Sequence, residues 1–558
     1  MGRLHFISDE KYNFRIFLFV LLSLSLLTSI VYGSQLLGGD DYYFHNARFE
    51  ALMQGLKDGT FPSYIDYKGV YGYGYLTKVF YSDFILIPFA LIANWTSKLF
   101  AYQLLLFSMT VLCGIFMYNF VHKVYKSSYT ASVSALLYTF SLYRLCDLYH
   151  RAAWGEAFSF TFLPLVFLGL YYIIKGDYRK WYVITIGFSL MIMTHALSSF
   201  LLFATIGIIL ILYCKNLFKE PKRIYYLILS GMVTLVICCY YLLPFFEQLL
   251  SDTFYFQKFK WSPYATGLRS QETSVILNGM ISGFTSGSKL PGIGLLIMLL
   301  LPLRFFIGNK GEAKYLKIAD WAACIGVLYL IPISNLAPWE HRPLAYFSVI
   351  QFPWRLYEFV IFFFTIAGGY YLYLICKTRN AKILLFTLIM ILTSVVIIID
   401  SLSYKDTKLR DHLADKELNE QTHYLFSGME YFPSRMPYPD PFILNRRDSV
   451  FYNKQDETFI SGFVRNRNIT EFNVNISFPD SLELPLIYYK GYAATIDAKS
   501  ISVEESNHGL VQIPVDRSGS VKVYYKGTIV QKVSWYITIV SIFVLCVHIF
   551  VQKKRKQS

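Results

Sequence analysis

The chain has 558 residues, of which 55% are hydrophobic and only 16% are charged, whereas soluble domains carry about 25% charged residues. Apolar runs recur along the chain, and each is long enough to cross a hydrocarbon core of ~30 Å. The composition therefore excludes an ordinary soluble protein and predicts a polytopic α-helical membrane protein. The net charge of +15 does not indicate nucleic-acid binding, because Lys and Arg crowd the short gaps between the apolar runs, where the positive-inside rule applies.

About twelve transmembrane helices are predicted, with both termini in the cytoplasm, since this arrangement places every basic cluster on the cytoplasmic side of the plasma membrane. The first run ends without a small-residue cleavage pattern and is therefore expected to remain as an anchor. The predicted spans cover residues 13–33, 97–121, 128–145, 156–174, 180–195, 198–214, 224–248, 291–308, 316–334, 354–376, 382–400 and 533–551.

The apolar run at residues 81–95 (YSDFILIPFALIANW) does not fit this topology. It is short for a span and contains Pro88, and counting it would move every later basic cluster to the outside. We therefore predict a re-entrant or interfacial helix within the first outer loop, residues 34–96.

Three regions are expected: a transmembrane domain (1–400), an extracytoplasmic domain (401–532) and a last helix with a basic cytoplasmic tail (533–558). From about residue 457 the chain alternates short apolar and polar runs, such as EFNVNISF, GLVQIPV and GSVKVYYKG, separated by Gly, Asn, Asp and Ser. This pattern predicts a small β-sandwich of ~75 residues. None of the eight cysteines lies in it, so it must fold without disulfides.

The first outer loop carries the sequence GGDDYYFHNAR directly after the first apolar run. Asp40 and Asp41 are both candidate catalytic residues. In a helix over residues 41–52, Asp41, His45 and Arg48 share one face, whereas the adjacent Asp40 points ~100° away, so Asp41 is favoured. A carboxylate beside an imidazole and a guanidinium suits a general base. The alternative is that the aspartates only cap the helix.

A second polar segment, between the third and fourth predicted spans, carries Asp147, His150, Arg151 and Glu156. If Asp147 or Glu156 meets Asp41 across an outer cavity, these carboxylates could hold a substrate hydroxyl or a divalent cation such as Mg²⁺ or Mn²⁺. The alternative for Asp147 is a plain ion pair with Arg144.

Other cations and aromatic residues at the outer ends of the spans are candidates for substrate binding. Arginine forks hold phosphates and aromatic rings stack on sugar faces, although arginines also anchor helix ends and a lone histidine often caps one. With His45, Arg48, His150 and Arg151, the candidates are Tyr73, Tyr75, His195, Lys260, Arg269, His341, Arg342, Trp354 and Arg355.

The sequence contains neither a P-loop nor a dinucleotide-binding fingerprint, the two motifs typical of nucleotide binding. It also lacks the zinc-protease motif and the nucleophile-elbow motif of hydrolases. A nucleotide sugar or ATP is therefore not expected as a substrate. Any energy-rich donor must reach the outer face on another carrier.

The order of these motifs resembles that of the C-type (GT-C) membrane glycosyltransferases. The closer resemblance is to the bacterial YfhO-like branch, also labelled 6-pyruvoyl-tetrahydropterin-synthase-related membrane proteins. The matching pieces are DYYFH from Asp41 with Arg48, GYGY at 72–75, Thr194-His195, QFPWR at 351–355, EYFP at 430–433 and the segment 484–492. Leu76 stands where that branch has a proline.

The resemblance implies an inverting, single-displacement transfer from a polyprenyl-phosphate-linked sugar to an envelope glycan, lipid or protein on the extracytoplasmic face. It implies Asp41 as the base and Asp147 or Glu156 as the second acidic group. The departing lipid phosphate would be neutralised by Arg355, His195 and Arg151. Metal use varies across this superfamily, so the resemblance implies neither a bound metal nor its absence. The rival hypotheses are a transporter or lipid flippase and a non-catalytic envelope assembly protein. Ionisable groups at helix ends rather than at mid-span argue against transport.

Overall fold

The structure is a computed structural model that describes residues 2–33, 39–62, 64–259, 262–282, 284–285, 288–308, 312–415, 429–452 and 458–555. The chain forms two compact units. The first comprises residues 1–42, 96–234 and 261–415, and the second comprises residues 43–95, 235–260 and 416–558. The segment 43–95, most of the predicted first outer loop, thus belongs to the same unit as the C-terminal domain. The predicted domain boundaries do not contain this grouping.

Seven helices in the described part of the chain are long and apolar enough to cross a membrane. A bent pair, Lys222–Ile237 with Cys239–Ser251, is an eighth if it counts as one span. The seven are Asn13–Tyr32, Lys98–Tyr125, Trp154–Ile174, Ala313–Ile333, Pro353–Ile375, Arg379–Asp406 and Ile529–Arg555. These helices support the membrane class, but the predicted count of twelve is not confirmed.

The difference comes from predicted spans that are short or interrupted in the structure. The predicted span 128–145 is divided into the helix Ser128–Thr139 and the single turn Leu142–Leu145. In place of the predicted spans 180–195 and 198–214 the structure has the shorter helices Tyr182–Ile192 and Ala196–Leu212. The predicted span 291–308 contains the short helix Leu295–Met298 and the 3₁₀ turn Pro302–Phe306. Apolar composition does not fix helix length, because polar or proline breaks such as Ser141 and Pro302 end a helix inside an apolar run.

The remaining helices are short. The run at residues 81–95 gives only a 3₁₀ turn, Phe84–Leu86, and the helix Ile87–Trp95, so the structure agrees that it is not a full span. The others are Tyr42–Lys57, Thr77–Phe80, Cys214–Lys219, Tyr255–Phe259, Pro263–Leu268, Thr273–Ser282 and Pro439–Arg446, with 3₁₀ turns at Tyr178–Lys180, Leu344–Ile350, Pro353–Leu356 and Met429–Tyr431. The helices Gly2–Gly33 and Arg379–Asp415 run past the ends of their apolar segments.

The C-terminal domain consists of two antiparallel sheets. One has the strand order Phe451–Tyr452, Asp480–Ile487, Leu510–Val515 and Glu504–Glu505, and the other has Thr458–Asn466, Ile469–Ile476, Gly519–Tyr525, Tyr492–Ile496 and Lys499–Ile501. Alternate residues of both sheets, such as Leu484, Val511 and Val521, share one apolar core. The alternating pattern therefore predicted the strands correctly. A separate hairpin, Phe284–Thr285 with Ser288–Pro291, lies in the first unit.

Truncating a side chain in this core is expected to destabilise the domain. Leu484 is fully buried, so Leu484→Ala should lower the free energy of unfolding by about 2–5 kcal/mol, the usual cost of a buried Leu→Ala change. Thermal unfolding of the full-length protein in detergent measures the effect. Val464→Ala is the matched control, because Val464 is 57% exposed on a strand of the other sheet. Equal melting temperatures for the two variants would contradict a shared core.

Candidate active site

A group of buried charges lies where the helices Trp154–Ile174 and Tyr357–Ile375 begin. We call Asp147, Arg151, Glu156 and Arg355 the Arg151 cluster. Asp147 and Glu156 are 0% and 1% exposed. Buried charges are costly unless they are paired, and here each carboxylate has an arginine partner.

The four side chains form a continuous chain of ion pairs. The Arg151 guanidinium donates to the Asp147 carboxylate and, through Nη1, to Glu156 Oε2 at 3.2 Å. Arg355 Nε lies 3.4 Å from the same Glu156 oxygen, and the Tyr143 hydroxyl donates to the other Glu156 oxygen. Glu156 therefore holds two guanidinium groups next to each other.

Local backbone structure sets up the pairing of Asp147 with Arg151. Residues Cys146–His150 form a π-helical turn that ends with Arg151 N donating to Cys146 O at 2.9 Å. Such turns are rare and frequently occur at functional sites. Ala152, two residues after this turn, has φ +51°, a left-handed conformation that is unfavourable for alanine. The chain thus turns sharply beside the cluster.

The surroundings of the cluster raise the pKa of both Asp147 and Arg151, for different reasons. Burial and the nearby Glu156 carboxylate raise the pKa of Asp147 well above its usual range, although Arg151 opposes the shift. Burial alone would lower the pKa of Arg151, but Glu156 and Asp147 raise it well above its usual range. Arg151 therefore stays a cation, while Asp147 is the group in the cluster that takes up a proton more readily than an ordinary aspartate.

A second carboxylate network adjoins the cluster. Glu358 accepts hydrogen bonds from Ser159 Oγ at 2.7 Å and from Ser198 Oγ at 2.8 Å. His195 is the N-cap of the helix Ala196–Leu212 and accepts from Ser198 N at 3.3 Å. Burial and the Arg355 cation lower the pKa of His195 to about 3. His195 is therefore neutral and caps a helix, which is the alternative to phosphate binding given above for a lone histidine at a helix end.

The start of the predicted first outer loop, at Asp41 and Tyr42, packs against the segment that carries Arg151. Asp41 N donates to Arg151 O at 2.7 Å, and the Tyr42 ring meets the Trp154 ring edge-on at 6.1 Å. The helix begins at Tyr42, so Asp41 precedes it rather than starting a helical face. The side chains of Asp40 and Asp41 are exposed. The structure therefore brings Asp41 next to Arg151, the residue that pairs with Asp147 and Glu156.

Gly39 is required for this contact. A Cβ atom there would lie 2.6 Å from Ala152 Cβ and 2.9 Å from Tyr149 O. We expect Gly39→Ala to displace Asp41 and to lower the stability of the first unit by about 1–3 kcal/mol, as overpacking does. Thermal unfolding of the purified protein measures this change. Gly207→Ala is the control, since a Cβ at Gly207 has nothing within 4 Å, and the prediction fails if both variants melt alike.

His45 and Arg48 belong to the second unit and contact other side chains and backbone groups of that unit. Arg48 Nη2 lies 2.6 Å from Asp83 Oδ1 and donates to Ser82 O at 2.9 Å. Arg48 Nη1 is 3.0 Å from His45 Nδ1, and the guanidinium lies 4.2 Å from the centre of the Tyr81 ring. The sequence pattern predicted one face shared by Asp41, His45 and Arg48. The structure brings only His45 and Arg48 together, since Asp41 belongs to the first unit, and the pattern missed Asp83, which comes from the short apolar run.

Removing Arg48 is expected to destabilise the second unit. Arg48 and Asp83 are 3% and 6% exposed, and Arg48→Met leaves the carboxylate buried without its cation, at a cost of about 3–5 kcal/mol. Arg467→Met is the control, because Arg467 is exposed and 3.9 Å from its partner Asp58; such a surface pair contributes about 0–1 kcal/mol. The measurement is the midpoint of chemical unfolding, and a loss below about 1 kcal/mol for Arg48→Met would contradict this assignment.

The tyrosines predicted to stack on a sugar are also in the second unit. Tyr73 is fully buried and its hydroxyl donates to Arg447 O. The Tyr75 hydroxyl accepts from Tyr431 N at 3.2 Å. Both rings belong to an apolar core, so in this structure they pack rather than face solvent.

His150 lies near a further acid in the first unit. Its Nε2 is 3.3 Å from Asp400 Oδ1, and the Tyr32 hydroxyl donates to Asp400 Oδ2. Tyr404 meets the His150 ring edge-on at 5.4 Å. His150 therefore points toward the helix Arg379–Asp415, whereas Arg151 points toward Glu156.

Phe352 organises the cations of the segment before Tyr357–Ile375. Its ring stacks on Trp354 at 4.6 Å, and the guanidinium groups of Arg355 and Arg269 lie 5.2 and 4.9 Å from its centre. Arg269 is thus close to the cluster through one shared ring. Gln351, at the turn, has φ +64°, a second left-handed residue at this site.

Three predicted substrate-binding residues are not part of this arrangement. His341 and Arg342 are exposed, and Arg342 lies over the nearby Tyr346 ring at 5.4 Å. Lys260 is outside the described residues.

The sequence suggests Asp41, Asp147 and Glu156 as ligands if a metal is bound. Across the ranges that the structure describes, no three His, Cys, Asp or Glu side chains come together as a metal site. Arg151 pairs with both Asp147 and Glu156, so a cation of the protein already occupies the position between the two carboxylates. The residues present do not fit a Mg²⁺ or Mn²⁺ ion, and we derive no step through one.

Sequence reasoning missed Glu358, Tyr143 and the true partner of Arg144. Glu358 follows Arg355 by three residues, a spacing that would have placed both on one helix face. Arg144 donates to Thr139 O at 3.0 Å, while Asp147 pairs with Arg151, so the alternative Arg144–Asp147 ion pair was wrong.

Comparison with known proteins gives one distant relative. The chain is 25% identical over 352 residues to an uncharacterized protein of Lactococcus lactis subsp. cremoris (strain MG1363), an alignment that covers 59% of this chain and 55% of the relative. The chain thus spans about half the length of the curated relative that it matches. No protein-family profile matches the chain, and no solved structure matches it.

Proposed function

We propose that this protein is a glycosyltransferase that moves a sugar from a polyprenyl-phosphate-linked donor to a hydroxyl acceptor at the outer surface of the membrane. The proposal rests chiefly on one observation: Arg151 and Arg355 are held on the single carboxylate of Glu156. Two adjacent guanidinium groups at the end of membrane helices suit a phosphate whose lipid lies in the bilayer.

The donor phosphate would bind Arg151 and Arg355, which are partly accessible, with side chains 10% and 12% exposed. Glu156 is then a positioning residue, since it fixes the two cations and is itself 1% exposed. Preorganised cations aimed at a leaving group stabilise the charge that develops on it in the transition state.

The acceptor hydroxyl would approach from the side of Asp41. Its proton passes to the Asp41 carboxylate while its oxygen bonds to the anomeric carbon of the sugar. The bond between that carbon and the phosphate oxygen breaks, and its electron pair stays on the phosphate, next to Arg151 and Arg355. The anomeric centre inverts, and the products are the glycosylated acceptor, the lipid phosphate and a protonated Asp41.

Asp147 would serve as the second acidic group of this site. The Oδ1 atom of Asp147 pairs with Arg151. The Oδ2 atom of Asp147 is buried and has no hydrogen-bond partner among the described residues. A free, buried acceptor atom beside the cations suits a sugar hydroxyl of the donor.

The test uses membranes that contain the protein and a polyprenyl-phosphate-linked hexose labelled in the sugar. We expect label to leave the lipid, lipid phosphate to accumulate, and both changes to depend on the protein. Binding of the donor without turnover, in the presence of mixed envelope glycans, lipids and proteins as acceptors, would favour a flippase or an assembly role instead.

A further inference from the structure

An apolar cleft lies in the first unit, at the end of its helices away from the Arg151 cluster. Glu156 and Lys175 mark the two ends of the helix Trp154–Ile174, ~30 Å apart at ~1.5 Å per residue. The cleft has a volume of about 550 Å³, within the ~300–1,000 Å³ range of ligand-binding pockets.

The inner part of the cleft is aromatic and aliphatic. Phe120, Phe167 and Phe362 form its inner wall, with ring centres 4.6 to 6.0 Å apart. Along the helix Ala313–Ile333, the lining runs from Lys314 to Ile325, which is ~16 Å at ~1.5 Å per residue. That depth is close to half of a ~30 Å hydrocarbon core, so the cleft is as deep as one leaflet.

Lysines surround the mouth of the cleft: Lys175, Lys215, Lys314 and Lys317 all line it. They come from three chain segments that the charge pattern places on the cytoplasmic side. Within the described ranges none of the four forms an ion pair, and the nearby acids Glu220 and Asp320 pair with Arg223 and Arg304 at 3.0 and 2.7 Å. The mouth therefore carries uncompensated positive charge.

All four lysines line the same cleft, and Lys175 is near enough to Lys317 to be affected by its charge. Lys175 Nζ lies 4.4 Å from the centre of the Tyr213 ring, and burial together with the Lys317 cation lowers the pKa of Lys175. Like charges held at one rim repel each other, and an anion bound between them would relieve this repulsion.

We propose that this cleft binds an anionic glycerophospholipid of the cytoplasmic leaflet. Its phosphate lies among Lys175, Lys314 and Lys317, and an acyl chain fills the cleft down to Phe362. Charge complementarity at the mouth selects the headgroup, and the leaflet-deep apolar wall selects a lipid over a soluble phosphate. The site is separate from the Arg151 cluster and does not depend on the function proposed there.

Native mass spectrometry of the full-length protein, delipidated and then mixed with phosphatidylglycerol or phosphatidylcholine, tests this assignment. We expect preferential retention of phosphatidylglycerol and a loss of roughly tenfold to 100-fold in the K175Q/K314Q/K317Q variant, as expected for three lysines at a lipid headgroup. The charge-matched control K126Q/K377Q/R379Q changes three exposed cations outside the cleft and should retain the lipid.

A second variant keeps the charges and removes the space. Ala322 lines the cleft and is 7% exposed, so A322F should lower phosphatidylglycerol retention while the Lys→Arg triple variant keeps it. Equal retention of both lipids, or equal loss in the lysine variant and its control, would show only non-specific lipid contact and overturn the proposal. Equally tight binding of glycerol 3-phosphate, or tighter binding of a polyprenyl phosphate, would overturn the assigned occupant.

Discussion

Asp41→Asn is expected to lower sugar transfer by about 10²–10⁴-fold, the contribution of a general base. Asparagine is nearly isosteric with aspartate but accepts no proton at neutral pH. It keeps the backbone N–H that donates to Arg151 O, so the loop should stay in place. Because the Asp41 side chain is exposed, the loss of its charge should change the free energy of unfolding by no more than about 1 kcal/mol.

The neighbouring aspartate provides the control. Asp40 is also exposed and has the same charge, but its backbone N–H does not make the bond to Arg151. Asp40→Asn should therefore retain transfer within about twofold to threefold of the unaltered protein. Both variants are compared at equal membrane levels, by release of labelled sugar from the lipid-linked donor and by the sugar content of envelope polymers. Unchanged transfer in Asp41→Asn would remove the base from the proposed mechanism.

Arg355→Gln is expected to lower transfer by about 10²–10³-fold, the usual cost of removing one preorganised group that stabilises transition-state charge. The fold should tolerate the change, since Glu156 keeps Arg151 and Tyr143 as partners. Arg355→Lys should recover part of the activity, because an ammonium retains the charge but not the two-pronged geometry of the guanidinium.

Arg342→Gln is the matched control for this variant. Arg342 lies in the same chain segment and is exposed over the Tyr346 ring, so its loss should leave transfer nearly unchanged. The readout is the rate of lipid phosphate release at saturating donor and its dependence on donor concentration. If Arg355→Gln matches Arg342→Gln, then Arg355 serves only as a helix anchor and the phosphate site must be elsewhere.

The local sequence pattern was sufficient to predict elements whose side chains follow one simple rule, such as the alternation of residues along a strand. Strand-forming runs alternate with period two because one face of each sheet meets the shared core, and the strands of the C-terminal domain follow that pattern. Long apolar runs predicted membrane helices because the bilayer requires length and hydrophobicity alone.

Pattern was insufficient where partners come from distant segments. Arg355 and Glu156 are separated by about two hundred residues, and no local rule pairs them. Asp83 lies within a short apolar run and was not considered as a partner of Arg48. The lysines of the cleft were interpreted only as markers of the cytoplasmic side. Helix lengths also differed, because a break inside an apolar stretch depends on what packs around it.

The sequence by itself determined the class of the protein, the strands of the sheet domain and the charged residues at the helix ends, since hydropathy, periodicity and spacing are local properties. Only the tertiary structure decided which charges meet. A buried carboxylate needs a cation nearby, and packing of the helices supplied Arg151 and Arg355 to Glu156, Asp83 to Arg48, and no acid to the lysines of the cleft among the described residues.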